Sequence, residues 1–172
     1  MLTNEQQQSL WETIFYSETR SAYYADVASR YHRYQRYLSA GMLFLSSGSV
    51  VAFAIRDSAT LAPNLHPWAP ILVAASTALL SAVNFAAQFA KTANEASELC
   101  TKWASVGTEA EELWSDMYAG TAPEQLKVLQ RKSNDYGRSG HALPFSSKRW
   151  ERRQIEMKKL FESRLQISPS SL

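Results

Sequence analysis

The sequence predicts an all-α protein in which a two-helix transmembrane hairpin is joined to cytoplasmic helices that pack as a small bundle. No charged residue occurs in 38–55 or in 58–90, and each region holds an apolar stretch near the roughly 20 residues that cross a bilayer core. Outside these stretches, apolar residues recur every three or four positions, which is helical spacing. The chain therefore divides into an N-terminal cytoplasmic amphipathic helix (1–37), the hairpin (38–90) and C-terminal cytoplasmic helices (91–172).

The N-terminal helix is predicted to continue into the first membrane span without a break. Its apolar positions at helical spacing are Tyr24, Val27, Tyr31, Tyr34 and Leu38. The residues before the first span contain no apolar core, so no secretory signal peptide is expected. The first span then has to act as its own insertion signal.

The two spans are predicted at 38–55 and 69–90, with a short external connector at 56–68. Pro63 and Pro67 kink the connector, and its shortness requires the two helices to be antiparallel neighbours. A buried helix of a soluble bundle is the alternative interpretation. Such a helix normally shows a polar face, whereas the first span offers only serines and glycines.

The Lys and Arg residues that flank the spans predict their orientation. These residues are Arg20, Arg30, Arg33 and Arg36 before the first span, and Lys91 and Lys102 after the second. The connector has only Arg56. Because cytoplasmic flanks carry the excess of Lys and Arg, both termini are predicted to be cytoplasmic.

The second span carries two stripes of residues. A small-residue stripe, which lets another helix approach closely, consists of Ala74, Ala78, Ala82, Ala86 and Ala90. A polar stripe on another face consists of Thr77, Ser81, Asn84 and Gln88. Polar groups that face lipid lack hydrogen-bond partners, so the polar stripe is expected to face protein or water.

Two interpretations of the polar stripe stay open. In the first, Asn84 and Gln88 hydrogen-bond to serines of the first span, such as Ser46, Ser47 or Ser49, and fix the hairpin. In the second, several hairpins assemble and the polar stripe lines a water-filled passage. Because two helices cannot enclose a pore, the second interpretation requires a homo-oligomer.

Beyond the second span, a repeat of about 3.5 residues predicts a packed helical seam. Its members are Ala96, Leu99, Trp103, Val106, Ala110, Leu113 and Met117. The two arms that flank the hairpin are expected to pack against each other, and pairing with the arms of other copies is the alternative. Thr121 and Glu124 then suggest a capping box that opens a helix ending near Asp135, and 136–147 is predicted to be a loop.

The last predicted helix, capped by Ser146 or Ser147, is basic. Its candidate residues for contact with an anionic surface are Lys148, Arg149, Arg152, Arg153, Lys158 and Lys159. One interpretation places this helix on the anionic inner leaflet. A second is capture of an anionic ligand or nucleic acid, and a third is an ordinary charged helix face.

No catalytic constellation is found. His32, His66 and His141 are far apart and have no partners at ligand spacing, and the single cysteine, Cys100, is interpreted as a small buried residue. No phosphate-binding loop, zinc pattern or nucleophile elbow occurs. We therefore expect a protein that is not an enzyme and that needs no cofactor or metal.

The segment RSAYYADVASRYHRYQRYLSAGMLFLSSGSVVAFAI (20–55) resembles the opening of SLATT domains, in which an Arg- and Tyr-rich amphipathic helix runs into the first of two transmembrane helices. The acidic, Trp-containing helix after the second span (91–117) also looks like that family. The resemblance covers about residues 10–165 and rests on layout and composition. The resemblance does not assign a function to any particular residue of this chain.

The resemblance implies a membrane effector of a prokaryotic anti-phage or conflict system. Such an effector would oligomerise in the inner membrane and form a pore or perturb the membrane, causing abortive infection, when a partner is activated. The expected partners are the lipid bilayer, other copies of the chain and a separately encoded sensor or defence enzyme, and nucleic acid is not expected as a direct ligand. The alternative is a membrane-anchored scaffold that recruits a cytoplasmic partner.

Overall fold

The structure is a computed structural model that describes residues 1–57 and 69–167, and among these the side chains of 1–44, 72, 74–83 and 88–163. The described residues form helices and contain no strand, which confirms the all-α prediction. The helices are α1 (Asn4–Asp57), α2 (Ala69–Ala87), α3 (Phe89–Ser115), α4 (Ala122–Ser139) and α5 (Ser147–Ile167), with a short 3-10 helix at Gly140–Ala142. The connector from residue 58 to 68 lies outside the described residues.

The chain divides into two compact units. The bundle unit consists of Met1–Ala28 and Asn94–Leu172, and the helix-pair unit is Ser29–Ala93. Within the described residues, none of the helices combines the length with the apolarity that a membrane crossing needs.

Helix α1 begins with a reciprocal capping box. The Thr3 amide donates to Gln6 Oε1 at 3.0 Å, and the Gln6 amide donates to Thr3 Oγ1 at 3.3 Å, so two amides without helical partners are satisfied. The helix then continues through the N-terminal arm into the first apolar segment, as predicted. The chain end is fixed as well, because the Met1 amino group donates to the Ala119 carbonyl at 2.9 Å and the Leu2 amide to the Met117 carbonyl at 3.0 Å.

The core of the bundle unit is the predicted seam of α3. Its buried members are Ala96, Leu99, Trp103, Val106, Ala110 and Leu113. Met117 is only half-buried, because α3 ends at Ser115 before reaching it. The seam prediction is therefore confirmed along the helix and wrong at its last residue.

Helix α1 packs along this seam in the antiparallel direction. The Ser21 hydroxyl donates to the Cys100 carbonyl at 3.3 Å, and the Trp11 ring lies 5.7 Å from the Trp114 ring. Leu10 and Ile14 of α1 are buried on this side. The two arms thus pack against each other within one chain, which was the first of the two predicted arrangements.

Helix α4 differs from its prediction at both ends. Thr121 is the N-cap residue, but its side chain makes no capping hydrogen bond, so the predicted capping box is wrong. Its backbone already has helical angles, φ −83° and ψ −13°, whereas a capping side chain is presented from an extended N-cap. The helix also continues to Ser139 and into the 3-10 turn, so the first half of the predicted loop is helical.

Helix α5 begins at Ser147, as predicted, and docks on the bundle through aromatic residues. Phe161 is buried, with its ring 5.3 Å from the Trp11 ring and 5.5 Å from the Phe15 ring. At the start of the helix, the Trp150 ring lies 5.7 Å from the Tyr23 ring. The apolar residues of the basic helix are therefore used in packing within the chain.

In the helix-pair unit, α1 and α2 are antiparallel neighbours, as predicted. The Ser81 hydroxyl donates to Met42 Sδ at 3.3 Å, and the Phe89 ring lies 5.9 Å from Tyr31 and 6.0 Å from Tyr34. Residues late in the second segment thus lie beside residues early in the first.

The predicted span 69–90 is not one continuous helix. Helix α2 ends at Ala87, Gln88 has a left-handed φ of 45°, and α3 begins at Phe89. A left-handed residue that is not glycine costs about 1–2 kcal/mol. The contacts of the Phe89 ring with Tyr31 and Tyr34 offset this cost, because each aromatic pair contributes about 0.5–1.5 kcal/mol.

Candidate functional site

The polar stripe faces the first helix of the pair. Between residues 74 and 83, Thr77 and Leu80 are half-buried, and the Ser81 hydroxyl bonds to Met42 of α1. The Asn84 side chain and the serines at 46, 47 and 49 lie outside the described side chains. The described contacts thus connect Ser81 to α1, and both interpretations of the polar stripe remain predictions.

Gln88 does not extend the polar stripe. The left-handed backbone at Gln88 ends α2, so this residue has no fixed helical register with Thr77 and Ser81. Its inclusion in one continuous stripe was wrong. The sequence gives no warning here, because no glycine or proline lies between Asn84 and Lys91.

The small-residue stripe lies on another part of α2. Ala74, Ala78 and Ala82 are exposed, whereas the Ala86 side chain lies outside the described side chains. Ala90, the last member, is exposed and belongs to α3. Within the described residues, the stripe therefore does not serve the contact between α1 and α2.

The basic residues of α5 divide into two groups. Those that are exposed are Lys148, Arg152, Lys158 and Lys159. Arg149 and Arg153 are half-buried, and Arg153 pairs with Glu156 at 2.8 Å and with Asp26 at 3.6 Å. Because the opposite face packs through Phe161, the four exposed basic residues form the outer face of α5.

A cavity in the bundle unit brings together residues that the sequence analysis did not group. It has a volume of about 830 Å³ and opens to solvent. The residues that line it are Arg20, Tyr23, Tyr24, Ser133, Asn134, Gly137, Arg138, Gly140, His141, Leu143, Phe145 and Trp150. They come from α1, from the end of α4 and the 3-10 turn, and from the start of α5. We call this cavity the arginine pocket.

Tyr23 fixes the wall of the arginine pocket where the chain turns into α5. Its hydroxyl accepts a hydrogen bond from the Ser146 amide at 3.0 Å and donates weakly to the Pro144 carbonyl at 3.5 Å. Its ring lies 5.8 Å from the Phe145 ring. The 144–146 segment is therefore attached to α1, and the Phe145 side chain remains 68% exposed at the mouth.

Arg20 is positioned by an aromatic surface. Its guanidinium lies over the Trp103 ring, 4.5 Å from the centroid. The edge of Trp103 in turn contacts Tyr136, with centroids 6.2 Å apart. Stacking on an aromatic face uses the plane of a guanidinium and leaves its N–H groups available at the edge. Arg20 can therefore hold an anion while it stays stacked.

Tyr24 remains a neutral phenol over a wide pH range. Burial raises the pKa of Tyr24 above its ordinary value of 10.0, the nearby Arg20 charge opposes this, and Tyr23 adds to it. The hydroxyl also lies against Gly140, where a Cβ atom would overlap it. Tyr24 is thus a hydrogen-bond donor at the back of the pocket.

Two glycines of the arginine pocket lie in the segment 136–147, which was predicted to be a loop. Gly137 and Gly140 suggested a loop, yet both lie in helical backbone and neither has a positive φ. Glycine in a helix allows another group to approach closely, here Arg20 to Gly137 and Tyr24 to Gly140. The partners lie more than 100 residues away in sequence, so no local pattern could have named them.

Comparison with protein-family models, with curated proteins and with solved structures finds no significant match to this chain.

Proposed function

We propose that the chain is a membrane effector of a prokaryotic anti-phage or conflict system, with the helix pair embedded in the inner membrane and both termini in the cytoplasm. In this proposal the chain assembles into homo-oligomers and perturbs the membrane when a separately encoded sensor or defence enzyme activates it. The resemblance of 20–55 and 91–117 to SLATT domains supports the biological setting.

The surface of α2 is the observation that carries the proposal. Leu72, Leu79 and Val83 are 52%, 68% and 44% exposed, and α2 contains no charged residue. Exposed apolar area costs about 25 cal/mol per Å² in water, and a surface of this kind marks contact with a membrane or a partner. Lipid would cover it without any further protein.

The apolar segments in the sequence support the same proposal. Residues 38–55 and 69–90 are uncharged over their full lengths, and Arg36, Arg56 and Lys91 mark their ends. The proposal concerns these complete segments, including the residues whose side chains the structure leaves undescribed. Tyr34 and Tyr37, which are exposed, lie where aromatic side chains of an interface are expected.

The two stripes of α2 supply separate functions in this proposal. The polar stripe holds the hairpin, as the bond from Ser81 to Met42 illustrates. The small-residue stripe, which is exposed at Ala74, Ala78 and Ala82, packs against a helix of another copy. Small side chains favour such assembly in a membrane because they let two backbones approach closely.

The test is induced expression with a membrane-potential dye, together with carbonate extraction and chemical crosslinking. Ala78→Leu should reduce crosslinked oligomers and depolarisation, because the added side chain separates the helices. Ser76→Leu is the control, since Ser76 is exposed and lies about 160° around the helix from Ala78. Both variants should remain in the membrane pellet. Release of the unmodified chain by carbonate would contradict the membrane location.

Replacing Ser81 and Asn84, the members of the polar stripe that lie in α2 beside α1 and one turn further on, with Leu separates the two interpretations of the stripe. If these residues hold the hairpin, the double variant loses crosslinking and depolarisation together. If they line a water-filled passage, ion leakage disappears while insertion and crosslinking stay intact. Unchanged leakage would remove the pore interpretation.

The exposed face of α5 favours a second candidate, the membrane-anchored scaffold. Lys148, Arg152 and Lys159 share this face, and their charges are available to an acidic partner. Replacing the three residues with Glu should abolish function under this alternative and leave the fold intact, because the packed face is unchanged. Under the effector proposal, the same variant still depolarises cells when it is overproduced.

A further inference from the structure

We infer that the arginine pocket is a binding site for a nucleoside phosphate. The inference does not depend on a membrane location, because every residue of the pocket belongs to the bundle unit. It assigns a ligand to residues of α1, α4 and α5 that no sequence motif connects.

The charge of the pocket points to an anion. Arg20 and Arg138 line it together with His141, and the residues that line it include no carboxylate. Guanidinium groups bind phosphate oxygens through paired N–H donors. The neutral Tyr24 hydroxyl adds a donor that carries no charge.

The aromatic residues of the pocket point to a planar group beside the phosphate. Phe145 is 68% exposed at the mouth, and its ring lies 6.4 Å from the Trp150 ring. An exposed aromatic side chain held by neighbours is a stacking surface for a nucleobase. A simple inorganic anion would make no use of this surface.

The size and the polar rim fit the same ligand. A volume of about 830 Å³ lies within the range of small-molecule sites, roughly 300–1,000 Å³. Ser133 and Asn134 line the same cavity and offer hydroxyl and amide groups to a ribose or a base edge. Charge, stacking surface and polar edge thus occur together in one cavity.

The binding experiment uses the full-length chain in detergent micelles and isothermal titration calorimetry. The probes are ATP, AMP, adenosine and inorganic pyrophosphate. Binding of ATP or AMP at least about tenfold tighter than both adenosine and pyrophosphate supports the inference. Equal binding of pyrophosphate, equal binding of adenosine, or binding of none of the four overturns it. A 5′-phosphorylated oligonucleotide that binds more tightly than AMP would also overturn a small-ligand site.

Variants assign the binding to this pocket. Arg138→Gln should weaken AMP binding about tenfold, because one charged hydrogen-bonding group is lost. Arg131→Gln is the matched control, since Arg131 is an exposed arginine of the same helix outside the pocket. Phe145→Ala should weaken AMP and leave the weaker pyrophosphate binding unchanged. Equal losses in Arg138→Gln and Arg131→Gln would show that the pocket is not the site.

Discussion

Gly140 is required because it has no side chain and therefore leaves room for the Tyr24 ring. Its backbone is helical, so its freedom to adopt a positive φ is not used. A Cβ atom at this position would overlap the Tyr24 hydroxyl and lie 3.2 Å from Tyr24 Cζ. The glycine therefore lets the end of α4 approach α1 and shapes the arginine pocket.

Gly140→Ala should destabilise the bundle unit by about 1–3 kcal/mol, the usual cost of overpacking, although alanine is the better helix former. Urea unfolding followed by circular dichroism measures this. Gly120→Ala is the matched control, with nothing near the added methyl group, and should stay within about 0.5 kcal/mol of the parent. Tyr24→Phe should rescue part of the loss. A Gly140→Ala chain as stable as the parent would contradict the packing.

The raised pKa of the half-buried Tyr24 phenol predicts that the protein loses stability at alkaline pH. Because its pKa is raised on folding, the folded chain holds this proton more tightly than the unfolded chain. The stability that it contributes is complete below pH 10.0, the ordinary pKa, and is lost as the pH rises through the folded value. The pKa values of Lys102 and Lys132 are raised mainly by the hydrogen bonds that their ammonium groups donate to Glu98 and Glu109, and these shifts act in the same direction.

Urea unfolding measured from about pH 8 to about pH 12 tests this sign. Tyr24→Phe should lose less stability over this range than the parent, because one coupled proton is removed. Tyr118→Phe changes an exposed tyrosine and should follow the parent. If the free energy of unfolding falls equally with rising pH in the parent and in Tyr24→Phe, folding does not raise the pKa of Tyr24.

At the scale of elements, two threonines that precede helices differ in whether their side chains cap the helix. Thr3 forms its capping bonds, whereas the Thr121 side chain forms none. Thr3→Ala should therefore cost about 0.5–2 kcal/mol in free energy of unfolding, and Thr121→Ala close to nothing. Thermal unfolding of the two variants provides the measurement. Similar losses in both would mean that the bonds at Thr3 do not contribute.

Helix α3 was predictable and the end of α4 was not, for a physical reason. The seam from Ala96 to Leu113 repeats its apolar residues along one helix, and packing against α1 requires only that repeat. The end of α4 lies against Arg20 and Tyr24 of α1, which the local sequence does not contain. Thr3 and Gln6 have the sequence spacing of a capping box, so the start of α1 is predictable from local sequence as well.

Neighbouring residues on α5 provide a test of its docking. Phe161 is 6% exposed and packs on Trp11 and Phe15, whereas Leu160 is 52% exposed. Phe161→Ala should destabilise the bundle by about 3–5 kcal/mol, as buried aromatic truncations do, and Leu160→Ala by less than about 1 kcal/mol. Hydrogen exchange along α5 should rise in the first variant only. Equal protection in both would contradict the docked helix.

At the scale of the whole molecule, the two ends of the chain build one unit. The core of the bundle unit comes from α1, with Leu10 and Ile14 near its start, and from α3, α4 and α5. The sequence predicted that the two arms meet, because each carries an apolar stripe. The arginine pocket could not be predicted, since it depends on how α1 meets α4.

This division predicts that the bundle unit folds without the helix pair. The Ser21 hydroxyl donates to the Cys100 carbonyl, so α1 and α3 are adjacent at this point. Ala28 lies about 10 Å further along α1, and Asn94 lies about 10 Å back along the antiparallel α3. The two ends therefore lie on the same side of the bundle unit, and a short Gly/Ser linker can join them. The joined chain, 1–28 with 94–172, should be helical and unfold cooperatively in urea. Its Phe161→Ala variant should lose as much stability as in the full chain. A gradual transition with binding of a hydrophobic dye would show that the core needs residues 29–93, and the two-unit division would then be wrong.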